Sequence, residues 1–429
     1  MSSITSLKAR EIIDSRGNPT IEVELKTEKD VFLSSVPSGA SKGIYEATEL
    51  RDNDKKRFNG KGVLKAVENV NKIISKNLLG KNPENQKEID ELLIKLDGTK
   101  NKSNLGANAI LGTSMCVCRA GAKSKNLQLY EYIAELVGSK KFVLPIPSFN
   151  IINGGKHAGN RLSIQEFMIF PLGAENFKEA VRIGCEIFYS LKEIIKKEYG
   201  LSAVNVGDEG GFAPDLEKTE EALDLIKKAI EKTDHKNKVK IAIDSAASEF
   251  FINRKYSLNF KNEKKKKDEK TGEEMISFYK EIIKNYDIIS IEDPFEQNDW
   301  ESYMKFTKEE GENIQIVGDD LLVTNPDRIK EAIEKKACNA LLLKLNQIGT
   351  ITEAIESAKL AMAVNWEIMV SHRSGETEDT FISDFAVGLN AKQIKAGSLC
   401  RSERTAKYNR LMRIEEELGN KGIYAGKIF

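Results

Sequence analysis

Three acids close short apolar runs in the second half of the chain: Asp244 ends K-I-A-I-D, Glu292 ends I-I-S-I-E and Asp319 ends I-Q-I-V-G-D. Three carboxylates suit a hard divalent cation such as Mg²⁺, which takes carboxylate and water oxygens in preference to thiolate or imidazole. Bases close the runs that follow: Lys344 after A-L-L-L, His372 and Arg373 after I-M-V-S, and Lys395 after Q-I. Taken alone, each charge could mark only the point where a buried strand re-enters water. Acids first and bases afterwards, at the same place in successive runs, point instead to one shared site. Zinc is not indicated, because the chain has three histidines and no C-x-x-C pair.

Other residues carry chemistry in smaller motifs. Arg373-Ser374-Gly375 brings together a guanidinium fork, a hydroxyl and approachable backbone, the parts of a phosphate cradle. Gly207 to Gly211 sets Asp208 and Glu209 among three glycines, a backbone-entropy cost that close approach to a ligand would explain, with an ordinary flexible turn as the alternative reading. His157, in G-G-K-H-A-G, and His372, in S-H-R-S-G, have flanks unusual for a core histidine, whereas His235 in D-H-K-N reads as a solvated surface residue. Gly39 to Gly43 matches G-x-S-x-G, but Pro37 to Ser41 reads as a mobile loop, not the strand, sharp turn and helix of a hydrolase nucleophile elbow. Neither G-x-G-x-x-G, Walker A nor H-E-x-x-H occurs.

A scaffold must bring these scattered positions together. From Phe142 onward a short apolar run closing on a polar residue recurs eight times: 149–153, 165–170, and runs ending at Asp244, Glu292, Asp319, Lys344, Arg373 and Lys395. Eight runs separated by helical stretches predict a (β/α)₈ barrel, whose strand ends open onto one face. The first two runs are too close for ordinary βα units, so the barrel is expected to be irregular at its start. The preceding residues read as an α+β unit, with strands at Thr20 to Leu25 and Val31 to Val36 and helices over 61–79, 85–96 and 105–122. The predicted organisation is an α+β domain over 1–140 and an irregular, TIM-like α/β barrel over 141–429.

Composition narrows the function classes. With 66 basic and 66 acidic residues the formal charge is zero, which gives no bulk attraction to nucleic acid or anionic membrane. The lysine run at 264–267 is interleaved with acids and reads as a solvated loop tip. Five cysteines, an odd and sparse set, suggest reduced, buried thiols in place of a disulfide framework. No run approaches the roughly 18 apolar residues of a membrane helix, and no signal-like segment opens the chain, so the expectation is a cytoplasmic protein.

Several long motifs resemble the enolase family, of the eukaryotic type. They are A-R-E-I-I-D-S-R-G-N-P at 9–19, V-P-S-G-A-S at 36–41, N-V-G-D-E-G-G-F-A-P at 205–214 and S-I-E-D-P-F at 290–295, followed by Q-I-V-G-D-D at 315–320, L-L-K-L-N-Q-I-G at 342–349 and V-S-H-R-S-G-E-T-E-D at 370–379. The likeness spans nearly the whole chain.

The resemblance implies reversible dehydration of 2-phosphoglycerate to phosphoenolpyruvate by a glycolytic homodimer using two Mg²⁺ ions, the second arriving with substrate. It implies that Asp244, Glu292 and Asp319 hold the first ion, that Lys344 is the general base, and that Glu209 with Glu166 is the acid that helps hydroxide leave. Glu209 is expected to hold the proton, its pKa raised by Glu166. By the same resemblance His372 lines the site, Arg373 and Ser374 bind phosphate, Lys395 grips the substrate carboxylate, and Ser41 and His157 belong to lid loops, Ser41 reaching the second ion. Lys42, Lys156 and Ser398-Leu399 depart from the family's usual Thr, Ser and Ala-Pro. Other reactions of the superfamily, such as acid-sugar dehydration or cycloisomerisation, would share the acid triad but not the Arg373-Ser374 anchor or the Glu166/Glu209 pair. A binding role without catalysis is the alternative from another class.

Overall fold

The computed structural model describes residues 3–40, 43–262 and 267–427. Its amino-terminal part is an antiparallel meander of β1 (Ser6–Ile13), β2 (Pro19–Lys26) and β3 (Val31–Ser35). Alternation puts Leu7 and Ala9 of β1 and Ile21, Val23 and Leu25 of β2 in buried positions, β2 packed by the helix Ala107–Ser124 and β1 by the helical stretch over 64–78. Two of these strands were expected, but β1 was not. Lys8, Arg10 and Glu11 crowd its pattern, and Arg10 is accommodated only by cross-strand pairing with Glu22 and Glu24 on β2. The expected helices appear as Leu64–Asn69 continuing through Val70–Ile74 and Ser75–Leu78, then Gln86–Asp97 and Ala107–Ser124.

All eight expected runs form strands of one closed barrel: Ile146–Asn153, Glu166–Phe170, Lys240–Asp244, Ile288–Glu292, Gln315–Gly318, Ala340–Leu343, Glu367–Ser371 and Gln393–Lys395. Irregularity falls where the spacing put it. The second strand follows the first after a segment whose only helix is the single turn Gly155–His157, and it runs antiparallel to both neighbours. The assumption that every strand ends at the same mouth therefore fails for this strand alone. Its reversal brings the first residue, Glu166, to the mouth, in register with Asp244 and Asn153.

Polar contacts join the amino-terminal part to the barrel. Arg119 on the helix Ala107–Ser124 meets Asp379 through two hydrogen bonds of 2.9 and 2.7 Å. Asp90 accepts from the Thr352 amide (3.0 Å) and hydroxyl (2.6 Å), at the start of the barrel helix Ile351–Met362. Burial pushes the Asp379 carboxyl up, but Arg119 and neighbouring hydrogen bonds outweigh it and hold the group below the usual carboxylate range. A depressed folded pKa gives stability that is present above the unfolded value of roughly 3.9 and lost as pH falls through the folded one. Asp379→Asn is therefore expected to flatten the acid limb of the stability curve below about pH 4. Asp379→Ala, which strands Arg119, is expected to cost about 3 kcal/mol by denaturant unfolding, and a loss below about 1 kcal/mol would contradict a docking role.

Two local expectations change, those for His235 and for the thiols. Residues 37–40 meet the barrel: Ser38 exchanges 2.8 Å backbone hydrogen bonds with Gly375, and the Ala40 amide donates to Ser374 Oγ at 2.7 Å. Ser41 and Lys42 lie outside the described residues, as do Lys264 to Lys266 of the lysine run. His235 is buried, with Nε2 2.6 Å from Glu186 Oε2, so a partner 49 residues away overrides its polar sequence surroundings. The five thiols are free, Cys116, Cys118 and Cys338 buried and Cys185 and Cys400 only partly so.

Candidate active site

The strand ends surround a small, partly open cavity lined by Gly39, His157, Gln165, Glu166, Glu209, Asp244, Lys344, Ser371, His372, Arg373, Ser374 and Lys395. The structure thus brings together every expected site residue it describes except Glu292 and Asp319, which lie just beyond the lining and touch it through the two lysines. Strand register explains the convergence. Asp244 pairs with Glu292 and Glu166, and Lys395 with Ser371 and Ser148.

Lys395 extends its ammonium into the acids, 3.0 Å from Asp244 Oδ2, 2.9 Å from both Glu292 oxygens and 3.0 Å from Glu166 Oε2. Burial alone would lower this amine's pKa, yet Asp244, Glu166 and Glu292 hold it well above the ordinary lysine value. Burial and the neighbouring Asp244 raise Glu292 well above the usual carboxylate range. Lys344 Nζ lies 2.5 Å from Asp319 Oδ2, and Gln347 Nε2 donates to Asp319 Oδ1 at 2.9 Å. Burial pulls the Lys344 ammonium down, but Asp319 outweighs it and leaves the group raised.

These contacts also test the fit of a divalent cation. Seven buried carboxyl groups (Glu166, Glu209, Asp244, Glu292, Asp293, Asp319 and Asp320) gather around two ammonium groups. Carboxylate oxygens of Asp293, Asp319 and Asp320 approach within 4.8 Å of one another. The set is all oxygen, the charge excess is negative, and an ammonium stands where the Asp244 and Glu292 carboxylates meet. These residues fit Mg²⁺. Asp293 and Asp320 were missed in the sequence, although each directly follows an expected ligand. Asp293 accepts the amides of Asp319 (2.9 Å) and Asp320 (2.7 Å), which makes it a brace for that turn.

Across the cavity, His157, Glu166 and Glu209 bring ligand atoms within 4.8 Å of one another. Asn150 Nδ2 donates to Glu209 Oε2 at 3.1 Å, and His372 Nε2 lies 3.3 Å from the same oxygen. Burial and the Glu209 charge push Glu166 well above the usual carboxylate range. Burial pushes Glu209 up as well, but His157 and His372 outweigh it and hold the group well below. Within the pair Glu166 is thus the raised member and Glu209 the lowered one. Burial lowers His372 to about 4, so its ring is neutral near pH 7.

The anion end is preorganised. Arg373 donates through Nη1 to Glu46 Oε2 and Asn346 Oδ1, each at 3.0 Å, and through Nη2 to Glu46 Oε1 at 3.1 Å. Glu46 comes from the amino-terminal part, 327 residues away, so no local motif announced it. Near it, Gly43 passes so close to Val323 that a Cβ would sit 2.5 Å from Val323 Cγ1, which makes glycine a packing requirement at this edge of the site. Gln165 Oε1 and His157 Nδ1 are buried at the cavity without hydrogen-bond partners, in position to meet a ligand. Gln165 was overlooked, though it adjoins Glu166.

A closed barrel with carboxylates, lysines and an acid pair at its mouth, capped by an α+β unit, is the architecture of a superfamily of enzymes that remove a proton beside a carboxylate. Residues 141–429 match the family described as "Enolase, C-terminal TIM barrel domain", and residues 4–133 match "Enolase, N-terminal domain". The chain belongs to the enolase family. Among the described residues no helix is long and apolar enough to cross a membrane.

Proposed function

We propose that this chain catalyses the reversible dehydration of 2-phosphoglycerate to phosphoenolpyruvate. In this reading it is an enolase of the eukaryotic type, a cytoplasmic homodimer in glycolysis and gluconeogenesis, with residues 1–140 capping a catalytic barrel over 141–429. The observation that carries the proposal is the pairing, in one cavity, of Lys344 with the Glu166/Glu209 couple, beside the braced Arg373-Ser374 anchor.

Arg373 and Ser374 bind the substrate phosphate, with the guanidinium already oriented by Glu46 and Asn346. Lys395 grips the carboxylate. Lys344 removes the proton from the neighbouring carbon as a neutral amine: an ammonium group has no lone pair, so its contact with Asp319 must open and its own extra proton pass to solvent first. On the other side Glu209, with Glu166, delivers a proton to the departing hydroxide, while His157 lines the site as part of a lid loop. Asp244, Glu292 and Asp319 would hold one Mg²⁺, and Ser41, on the family resemblance, would serve a second that comes with substrate; the ions would supply positive charge where the carboxylate becomes more negative.

Absorbance of phosphoenolpyruvate during incubation of the purified chain with 2-phosphoglycerate tests the reading. Turnover is expected with Mg²⁺ and should vanish when the metal is chelated. Absence of turnover with Mg²⁺, or turnover of acid sugars instead, would overturn it.

A further inference from the structure

Arg404 is the largest fully buried side chain of the described residues, and all its hydrogen bonds end in the loops that carry the proposed acid and anion-binding groups. Its Nη1 lies 2.5 Å from His372 Nδ1 and donates to the Arg373 carbonyl at 2.7 Å. Its Nη2 donates to the carbonyls of Ser374 (2.7 Å) and Asp208 (3.1 Å). Glu403 Oε1, 3.3 Å from Nε, partly balances the charge. One guanidinium therefore spans the 371–375 loop and the 207–211 loop, and its planar fork can reach carbonyls on both sides, as an ammonium could not.

Its chemistry also constrains the imidazole. Guanidinium is a donor only, so His372 Nδ1 facing it must be an unprotonated acceptor. The single hydrogen of the neutral ring then belongs to Nε2, which lies 3.3 Å from Glu209 Oε2. We propose that Arg404 is a positioning residue that fixes His372 in the Nε2–H tautomer, so that the ring turns an N–H, and not a free lone pair, toward Glu209 Oε2, 3.3 Å away, and cannot compete for a proton of the Glu166/Glu209 pair. The charged groups facing the ring are Glu209 from its loop, Arg404 from the helix Ser402–Leu418 and Glu376 from the ring's own loop.

The fold makes room for this arrangement. Gly397 has φ +85°, and a Cβ there would stand 2.7 Å from Arg404 Cδ and 2.8 Å from the Glu209 carbonyl oxygen. One turn further along the same helix, Lys407 Nζ donates to Glu376 Oε2 (2.8 Å) and the Thr377 carbonyl (2.6 Å), while Glu376 accepts the Arg373 amide at 3.1 Å. Lys407 thus braces the loop without touching the ring and serves as a structural control.

The proposal rests on the enolase reading for its kinetic consequence, but the tautomer can be measured without turnover. The chain has three histidines, so imidazole ¹⁵N shifts of the full-length labelled protein can be assigned with single histidine variants. Wild type is expected to show His372 with hydrogen on Nε2 and none on Nδ1 at neutral pH. Arg404→Met should mix the tautomers and lower kcat on the order of 100-fold with KM moving less than about threefold, the signature of misplaced proton-handling groups. Arg404→Lys, which keeps one donor, should retain the tautomer and lose about tenfold in kcat. Lys407→Met should leave the tautomer as in wild type. A wild-type His372 protonated on Nδ1 would overturn the proposal even if Arg404→Met failed to fold, as would a folded Arg404→Met with unchanged tautomer. Wild type lacking turnover but showing the Nε2–H form would sink the enolase reading and leave the positioning role standing.

Discussion

Lys344→Ala is expected to lower turnover of 2-phosphoglycerate by on the order of 10³- to 10⁴-fold while leaving substrate affinity nearly unchanged. Lys344 follows the strand Ala340–Leu343 directly and reaches the cavity as an amine with one close carboxylate partner, Asp319. The other cavity lysine, Lys395, is tied to three acids and has no freedom to replace it. Binding rests on Arg373, Ser374 and Lys395, which the substitution leaves in place. Steady-state kinetics separate the effects: a rise in KM with kcat retained would make Lys344 a binding group and not the base.

The second large effect concerns the carboxylates. Asp244→Ala, Glu292→Ala and Asp319→Ala each remove an oxygen ligand from a cation that relies on few protein ligands, so Mg²⁺ affinity by calorimetric titration should fall by about 100-fold or more. Asp244→Ala and Glu292→Ala also release Lys395 from one of its acids, and Asp319→Ala releases Lys344. Unchanged affinity in any one variant would remove that residue from the metal site.

The sequence disclosed the positions that strands impose. A buried strand must be apolar until it leaves the barrel, so Asp244, Glu292, Asp319, Lys344 and Lys395 announced themselves by interrupting that pattern. Strand direction left no such mark: E-F-M-I-F reads the same either way, and only pairing shows Glu166 arriving at the mouth as a first residue. Long-range partners were equally silent. Glu46 braces Arg373 from 327 residues away, and Arg404 reaches His372 from a helix whose sequence looks like any charged surface helix. The direction of the Glu209 shift depends on the same kind of encounter. Glu166 alone would raise Glu209, but His157 and His372, two histidines from distant loops, reverse the sign.

The most direct test of the account is hydrogen exchange in deuterated solvent, in the presence of Mg²⁺, at the carbon of 2-phosphoglycerate that bears the phosphate and adjoins the carboxylate. It compares Glu209→Gln with Lys344→Ala. The account predicts that Glu209→Gln exchanges this hydrogen without forming phosphoenolpyruvate, because Lys344 still removes the proton, and that Lys344→Ala exchanges nothing. Exchange that persists in Lys344→Ala, or that disappears from both variants while each still binds substrate and metal, would contradict the assignment of base and acid.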